Sequence, residues 1–196
     1  MRLADVSLLA RDVHSLYIKD CCNGSPASLP IKILNNGLIS VISKRTGLAI
    51  ETRCLPWNGH MLRANLRRYK DSASIIYSNE LNTCWSRFCI CKEAYHLLSD
   101  DVKTYSTDPV SLVNGLMNDM PVITIDDDIE AEWMAVIGAM ELLIPSQFDT
   151  YLYGLEASGK EHYEIALEFR VPEKIISLRL SPALRKSLDQ LHNDMH

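Results

Sequence analysis

The 196-residue sequence predicts an α+β domain. Three observations carry that expectation. The first twenty residues place apolar side chains at helical spacing. Residues 29 to 77 break into short apolar runs separated by turn-forming residues, and past Asn79 most of the chain reads as helix. At 47% hydrophobic, the chain carries too much apolar material for a disordered protein. Its length suffices to bury a core without disulfide or metal staples.

Taken in order, the N-terminal helix is marked by Leu8, Leu9, Val13, Leu16 and Tyr17, an i, i+1, i+5, i+8, i+9 spacing. Asn23-Gly24-Ser25-Pro26 ends it. The runs Leu29–Leu34, Leu38–Ser43, Leu48–Cys54, Met61–Arg68 and Ser74–Tyr77 follow. Turns at Asn35-Asn36-Gly37, Arg45-Thr46-Gly47 and Lys70-Asp71-Ser72 separate them. This pattern predicts a small antiparallel sheet. Residues 1–180 are expected to form the domain and 181–196 a helical tail. In the tail, Leu184, Leu188 and Leu191 recur at helical spacing and would cap the domain or dock on a partner.

Charge and cysteine usage narrow the function. Twenty Lys and Arg stand against 25 Asp and Glu, a formal net charge of −5, which speaks against broad phosphate-driven binding of nucleic acid. Arg63, Arg67 and Arg68 form a local basic run that fits a solvated strand face. The six cysteines (Cys21, Cys22, Cys54, Cys84, Cys89 and Cys91) show no C-x-x-C pair and no zinc-site spacing. No apolar stretch reaches the ~20 residues of a membrane helix. With no basic n-region leading into an apolar h-region, reduced thiols and a cytoplasmic location are expected.

The informative segment is Arg87-Phe88-Cys89-Ile90-Cys91-Lys92-Glu93-Ala94-Tyr95-His96. On a helix Lys92 and His96 lie one turn apart and share a face, with Glu93 beside them. With His in place of Lys92 the string would be H-E-x-x-H, in which two imidazoles grip zinc and the Glu is the general base. By itself, K-E-x-x-H also fits a surface helix with a Lys and a His on its rim.

The flanks add a context. Ile75-Ile76-Tyr77-Ser78-Asn79 and Trp85-Ser86-Arg87-Phe88 lead into this helix. About 35 residues beyond it comes Glu132-Trp133-Met134-Ala135-Val136-Ile137-Gly138-Ala139-Met140-Glu141-Leu142-Leu143-Ile144-Pro145. Ala166-Leu167-Glu168-Phe169-Arg170-Val171-Pro172 and Arg179-Leu180 come later. In this order the motifs resemble the ImmA/IrrE family of zincin-like metallo-endopeptidases, over roughly residues 60 to 180. Its members show an R-F-T-x-A-H-E-x-x-H helix and then E-x-x-A-x-x-F-A-x-x-L-L-x-P. The resemblance implies a zincin-like fold, with Glu93 at the general-base position and His96 and Glu132 at two zinc-ligand positions. Lys92 stands where the first histidine ligand belongs.

That departure governs the functional expectation. A catalytic zinc site generally has three protein ligands and one open position. A protonated Lys would put a cation where the dication sits and can ligate only as the neutral amine. The Lys92 ammonium is expected between Glu93, His96 and Glu132, replacing the metal by ion pairs. A non-catalytic regulatory or binding protein that keeps the peptidase groove follows, with no cofactor. The alternative is an active zinc endopeptidase with an irregular ligand set. Family members often cleave repressor-like DNA-binding proteins and are common in phage and mobile elements. A protein partner such as a repressor or a toxin–antitoxin component is therefore implied.

The remaining candidates are weaker. Cys89 shares the helical face of His96 but lies about 10 Å away along the axis. His60 and His162 lie outside the motifs, and no pattern selects them as ligands. Gly138 replaces a usual aromatic core residue and leaves a gap for Trp133, Trp85 or Tyr95. His162–Leu180 can be read as a helix-turn-helix with Arg170, Lys174 and Arg179 facing DNA, but four glutamates accompany them. Ile125-Asp126-Asp127-Asp128 lacks the spacing and glycine of a calcium loop and reads as a solvated turn, with Asp128 near a helix N-terminus. Neither a G-x-S-x-G elbow nor a Gly-rich phosphate loop occurs.

Overall fold

A computed structural model of the chain describes residues 3–56, 63–99 and 127–194. Among them the architecture is α+β, with eight α-helices and one three-stranded sheet. His60 and residues 100–126 lie outside the described part, as does the start of the Met61–Arg68 run.

Helix α1 (Leu3–Cys21) stops where Asn23 and Gly24 adopt positive φ, and the Gly24 N–H caps the Ile18 carbonyl at 2.9 Å. Its buried face is Val6, Ser7, Ala10, Val13, His14 and Tyr17. Leu8 is half exposed, so the inward stripe is displaced from the one the apolar residues alone predict.

Two predicted strands are not strands. Residues 29–34 run irregularly through a cis Leu29–Pro30 bond. Pro30 has no ladder donor, and the Ile31, Lys32 and Ile33 carbonyls accept from Arg87, Leu38 and Ile39. Leu38–Ser43 belongs to helix α2 (Leu38–Thr46), which starts at Gly37 and ends at Gly47 with φ 71°. Its β-branched residues suggest a strand, but Leu38, Ile39, Val41 and Ile42 bury as a helical face. A Cβ on Gly37 would overlap the Lys32 and Ile33 backbone, so only glycine fits there.

The strands are β1 (Ala49–Leu55), β2 (Ala64–Arg68) and β3 (Ser72–Ser78), in the order β1-β3-β2. The expected antiparallel sheet is instead mixed. β2 and β3 form an antiparallel hairpin, but β1 runs parallel to β3 from Ala49 opposite Ser72 to Leu55 opposite Ser78. Ala64, Leu66, Ala73 and Ile75 line the buried face. Arg67 and Arg68 are exposed but point to opposite faces of β2, with Arg68 opposite Ala73, and Arg63 ahead of the strand is half-buried. The run is therefore not one solvated strand face.

Helix α3 (Thr83–Leu98) is the centre of the molecule. The Asn82 side chain caps it by accepting from the Trp85 N–H at 3.0 Å. Every residue from Phe88 to Leu97 is buried, so the helix is enclosed on all sides, against the sheet, α2 and helix α4 (Asp127–Leu143). Asp127 and Asp128 lie in the first turn of α4; Ile125 and Asp126 fall outside the described residues. A 3-10 turn (Ser146–Phe148) joins α4 to α5 (Asp149–Ala157), followed by α6 (His162–Phe169), α7 (Glu173–Leu180) and α8 (Pro182–Asp194). Leu188 of α8 is fully buried and Leu184 packs on the core, so the tail docks on its own chain; the Leu191 side chain is outside the described part. No described helix is long and apolar enough to cross a membrane.

Candidate functional site

Lys92, Glu93 and His96 project from α3, and Glu132 from the facing turn of α4. The structure brings all four together. The Lys92 Nζ lies 2.6 Å from Glu132 Oε2, to which it donates, and 3.1 Å from Glu93 Oε1. His96 Nε2 makes a longer contact, 3.3 Å, with Glu132 Oε1. Exposures of 1% for Lys92, 2% for Glu93, 3% for His96 and 1% for Glu132 exclude the surface-rim alternative.

The electrostatics follow from that burial. Removing an ammonium and two carboxylates from water is costly, and only close pairing repays it. Burial pulls the Lys92 pKa down, but the Glu93 and Glu132 carboxylates outweigh it and hold the amine charged, above its ordinary range. Burial likewise pushes the Glu132 carboxyl up. The contacts from His96 and Lys92 prevail and keep it below the usual carboxylate range. Glu93 Oε2 is buried and accepts no hydrogen bond among the described residues.

As arranged, these groups are not a zinc-binding set. A charged ammonium has no lone pair to give, and it occupies the carboxylate that the resemblance assigns to the metal. Among the described residues, no three His, Cys, Asp or Glu side chains converge on a point where a metal ion would sit. The four residues line neither the cleft beside Arg11 and Thr150 nor the one beside Trp85 and Tyr163.

The other sequence candidates lie elsewhere. Cys89 is buried on α3. His162 Nδ1 is 2.9 Å from Ser177 Oγ, linking α6 to α7. The α6–turn–α7 segment is a helical pair, but Arg179 cannot face DNA. It is fully buried, donating to Asp149 Oδ1 at 2.6 Å and to Tyr153 Oη at 3.0 Å, with Glu141 3.9 Å from its Nε. The gap at Gly138 is filled by Tyr95, whose ring a Cβ at that position would overlap.

Two buried ionisable groups, Glu141 and His14, escape the sequence reading. Glu141 accepts from Ser7 Oγ at 3.3 Å and lies beside Arg179, forming a second charge cluster. The signal was a lone carboxylate inside the apolar string Ala139-Met140-Glu141-Leu142-Leu143. His14, on the inward face of α1, donates from Nε2 to the Leu142 carbonyl at 2.8 Å. Its signal was its spacing with Ala10 and Tyr17.

No family model matches the chain, and no curated protein matches its sequence. Fold and site together define an α+β protein in which a buried lysine–carboxylate cluster ties two central helices.

Proposed function

We propose that the protein is a pseudo-peptidase: a cytoplasmic, non-catalytic regulatory or binding protein with an ImmA/IrrE-like, zincin-like fold that acts through a protein partner. One observation carries this reading. The Lys92 ammonium lies 2.6 Å from Glu132 and 3.1 Å from Glu93, enclosed, where the motif would put a metal ligand. An ammonium in that position holds α3 to α4, but it does not lower the pKa of a water to about 7 as zinc does. The enclosure of Glu93 also leaves a general base without a path to a peptide bond. The partner class, a repressor-like protein or a toxin–antitoxin component, rests on the resemblance of the ordered motifs at Lys92–His96, Glu132–Pro145 and Ala166–Pro172.

Native mass spectrometry before and after Lys92→His tests the reading. The unaltered protein is expected to carry no zinc and to leave Glu93→Gln without effect on its biological activity. The histidine variant is expected to take up one zinc per chain. One tightly held zinc in the unaltered protein would overturn the proposal in favour of an active endopeptidase with an irregular ligand set. A proteolytic cleavage by the unaltered protein that is lost in Glu93→Gln at an unchanged melting temperature would do the same.

A further inference from the structure

Strand β1 lies at a sheet edge. It pairs with β3 on one side, and no described strand pairs with the other. Along a strand, the N–H and C=O of one residue point to one side and those of the next residue to the other. The Ala49 N–H donates to the Asp71 carbonyl at 3.1 Å, and the Leu55 carbonyl accepts from the Asn79 N–H at 3.0 Å. Asp71 precedes β3 and Asn79 follows it, so the odd-numbered residues of β1 face β3. Ile50, Thr52 and Cys54 therefore present their backbone groups outward. An open edge of this kind is a template for another strand, and no proline, lysine or bulge blunts it between Ala49 and Leu55. Cys54 and Leu55 are exposed, Leu55 at 44%. Pro56, which has no N–H, ends the run.

We propose that β1 pairs antiparallel with β1 of a second copy of this chain, joining the two sheets into one. Charge selects this occupant and its register. With Thr52 opposite the partner's Thr52 on a two-fold axis, Glu51 lies opposite the partner's Arg53, and Arg53 opposite the partner's Glu51. Within one copy Arg53 Nη2 is 2.7 Å from Glu51 Oε1, and both side chains are exposed. Charges of alternating sign then ring the axis. Moving the axis to Glu51 or to Arg53 sets like charges face to face, which is destabilising. Larger shifts lose hydrogen bonds. The Thr52 register makes Ile50, Thr52 and Cys54 the hydrogen-bonded positions, about six bonds in all, and places the charged pairs at the closer, non-hydrogen-bonded positions. It also sets the exposed Leu55 against the partner's Ala49. Such a contact uses the same strand on both copies and closes as a dimer. This inference is independent of the Lys92 cluster.

Sedimentation equilibrium of the full chain over about 5–200 μM tests the pairing. The unaltered protein is expected to show a concentration-dependent equilibrium between monomer and dimer. Glu51→Arg and Arg53→Glu, both at exposed positions, each set like charges opposite one another. Each variant alone is expected to weaken the dimer by about tenfold or more, with its fold intact by circular dichroism. Mixed in equal amounts, the two variants regain opposite charges across the axis and are expected to pair with each other as tightly as the unaltered protein. An unaltered protein that stays monomeric throughout overturns the proposal and leaves the edge to a strand of another protein. An assembly that grows past the dimer overturns it too. So does a dimer that either single variant keeps at full strength, or a mixture of the two folded variants that remains monomeric.

Discussion

Lys92 is the residue on which the buried cluster turns, because its ammonium faces two enclosed carboxylates at 2.6 and 3.1 Å. Removing one member of such a cluster differs from removing the cluster. Lys92→Met leaves Glu93 and Glu132 charged and buried without their cation, and a loss of about 3–5 kcal/mol is expected. The double change Lys92→Met with Glu132→Leu replaces the strongest pair by apolar groups and should recover most of that loss. Urea unfolding of both variants decides it. A single variant within about 1 kcal/mol of the unaltered protein would mean that the cluster does not hold the helices together. The positions of these residues were legible in the sequence, since K-E-x-x-H fixes a helical face and the Glu132 string marks the facing helix. Arg179 was not legible. Its spacing with Arg170 and Lys174 looked like an exposed basic stripe, and its partners Asp149, Tyr153 and Glu141 come from other elements.

Between elements, a close fit occurs where α3 crosses α4. Tyr95 lies over Gly138, and its hydroxyl reaches the Val6 carbonyl of α1 at 3.4 Å, so one side chain touches three helices. On an exposed helix Gly→Ala gains about 1 kcal/mol. At Gly138 the added methyl group meets the Tyr95 ring, and overpacking of this kind costs about 1–3 kcal/mol. Gly138→Ala is therefore expected to lower the melting temperature, although its helix propensity is higher. Combining it with Tyr95→Leu should cost less than the sum of the two single changes. Additive losses in the thermal melts would refute direct packing between the two sites. The sequence disclosed the gap and three residues able to fill it, but choosing Tyr95 needed the crossing geometry. The same limit applies to the sheet. Apolar runs and turns located β1, β2 and β3, yet they carry no information on direction. The parallel pairing of β1 with β3 emerges only once the β2–β3 hairpin sets which way β3 runs. At Leu38–Ser43 the pattern itself misled, since β-branched residues at adjacent positions satisfy a helical face as well as a strand.

For the molecule as a whole, the docking of α1 on the end of α4 depends on a histidine that burial keeps uncharged. His14 donates to the Leu142 carbonyl and meets Tyr17 edge-on at 6.0 Å. Desolvation lowers its pKa from the ordinary 6.5, although the Leu142 carbonyl and the Glu141 carboxylate pull the other way. The sign follows directly. As pH falls below about 6.5 the unfolded chain takes up a proton at this residue while the folded ring resists, so the unfolded state binds more protons and stability drops. The loss approaches about 1.4 kcal/mol per pH unit until the folded value is reached, and above 6.5 the contribution is fully present. Urea unfolding at pH 7.5 and 5.5 should show a lower midpoint at the acid value, with a smaller difference in His14→Gln. That variant still offers an amide N–H to the Leu142 carbonyl but has nothing to titrate. An equal acid shift in both proteins would place the titrating group elsewhere and leave His14 as a packing residue alone.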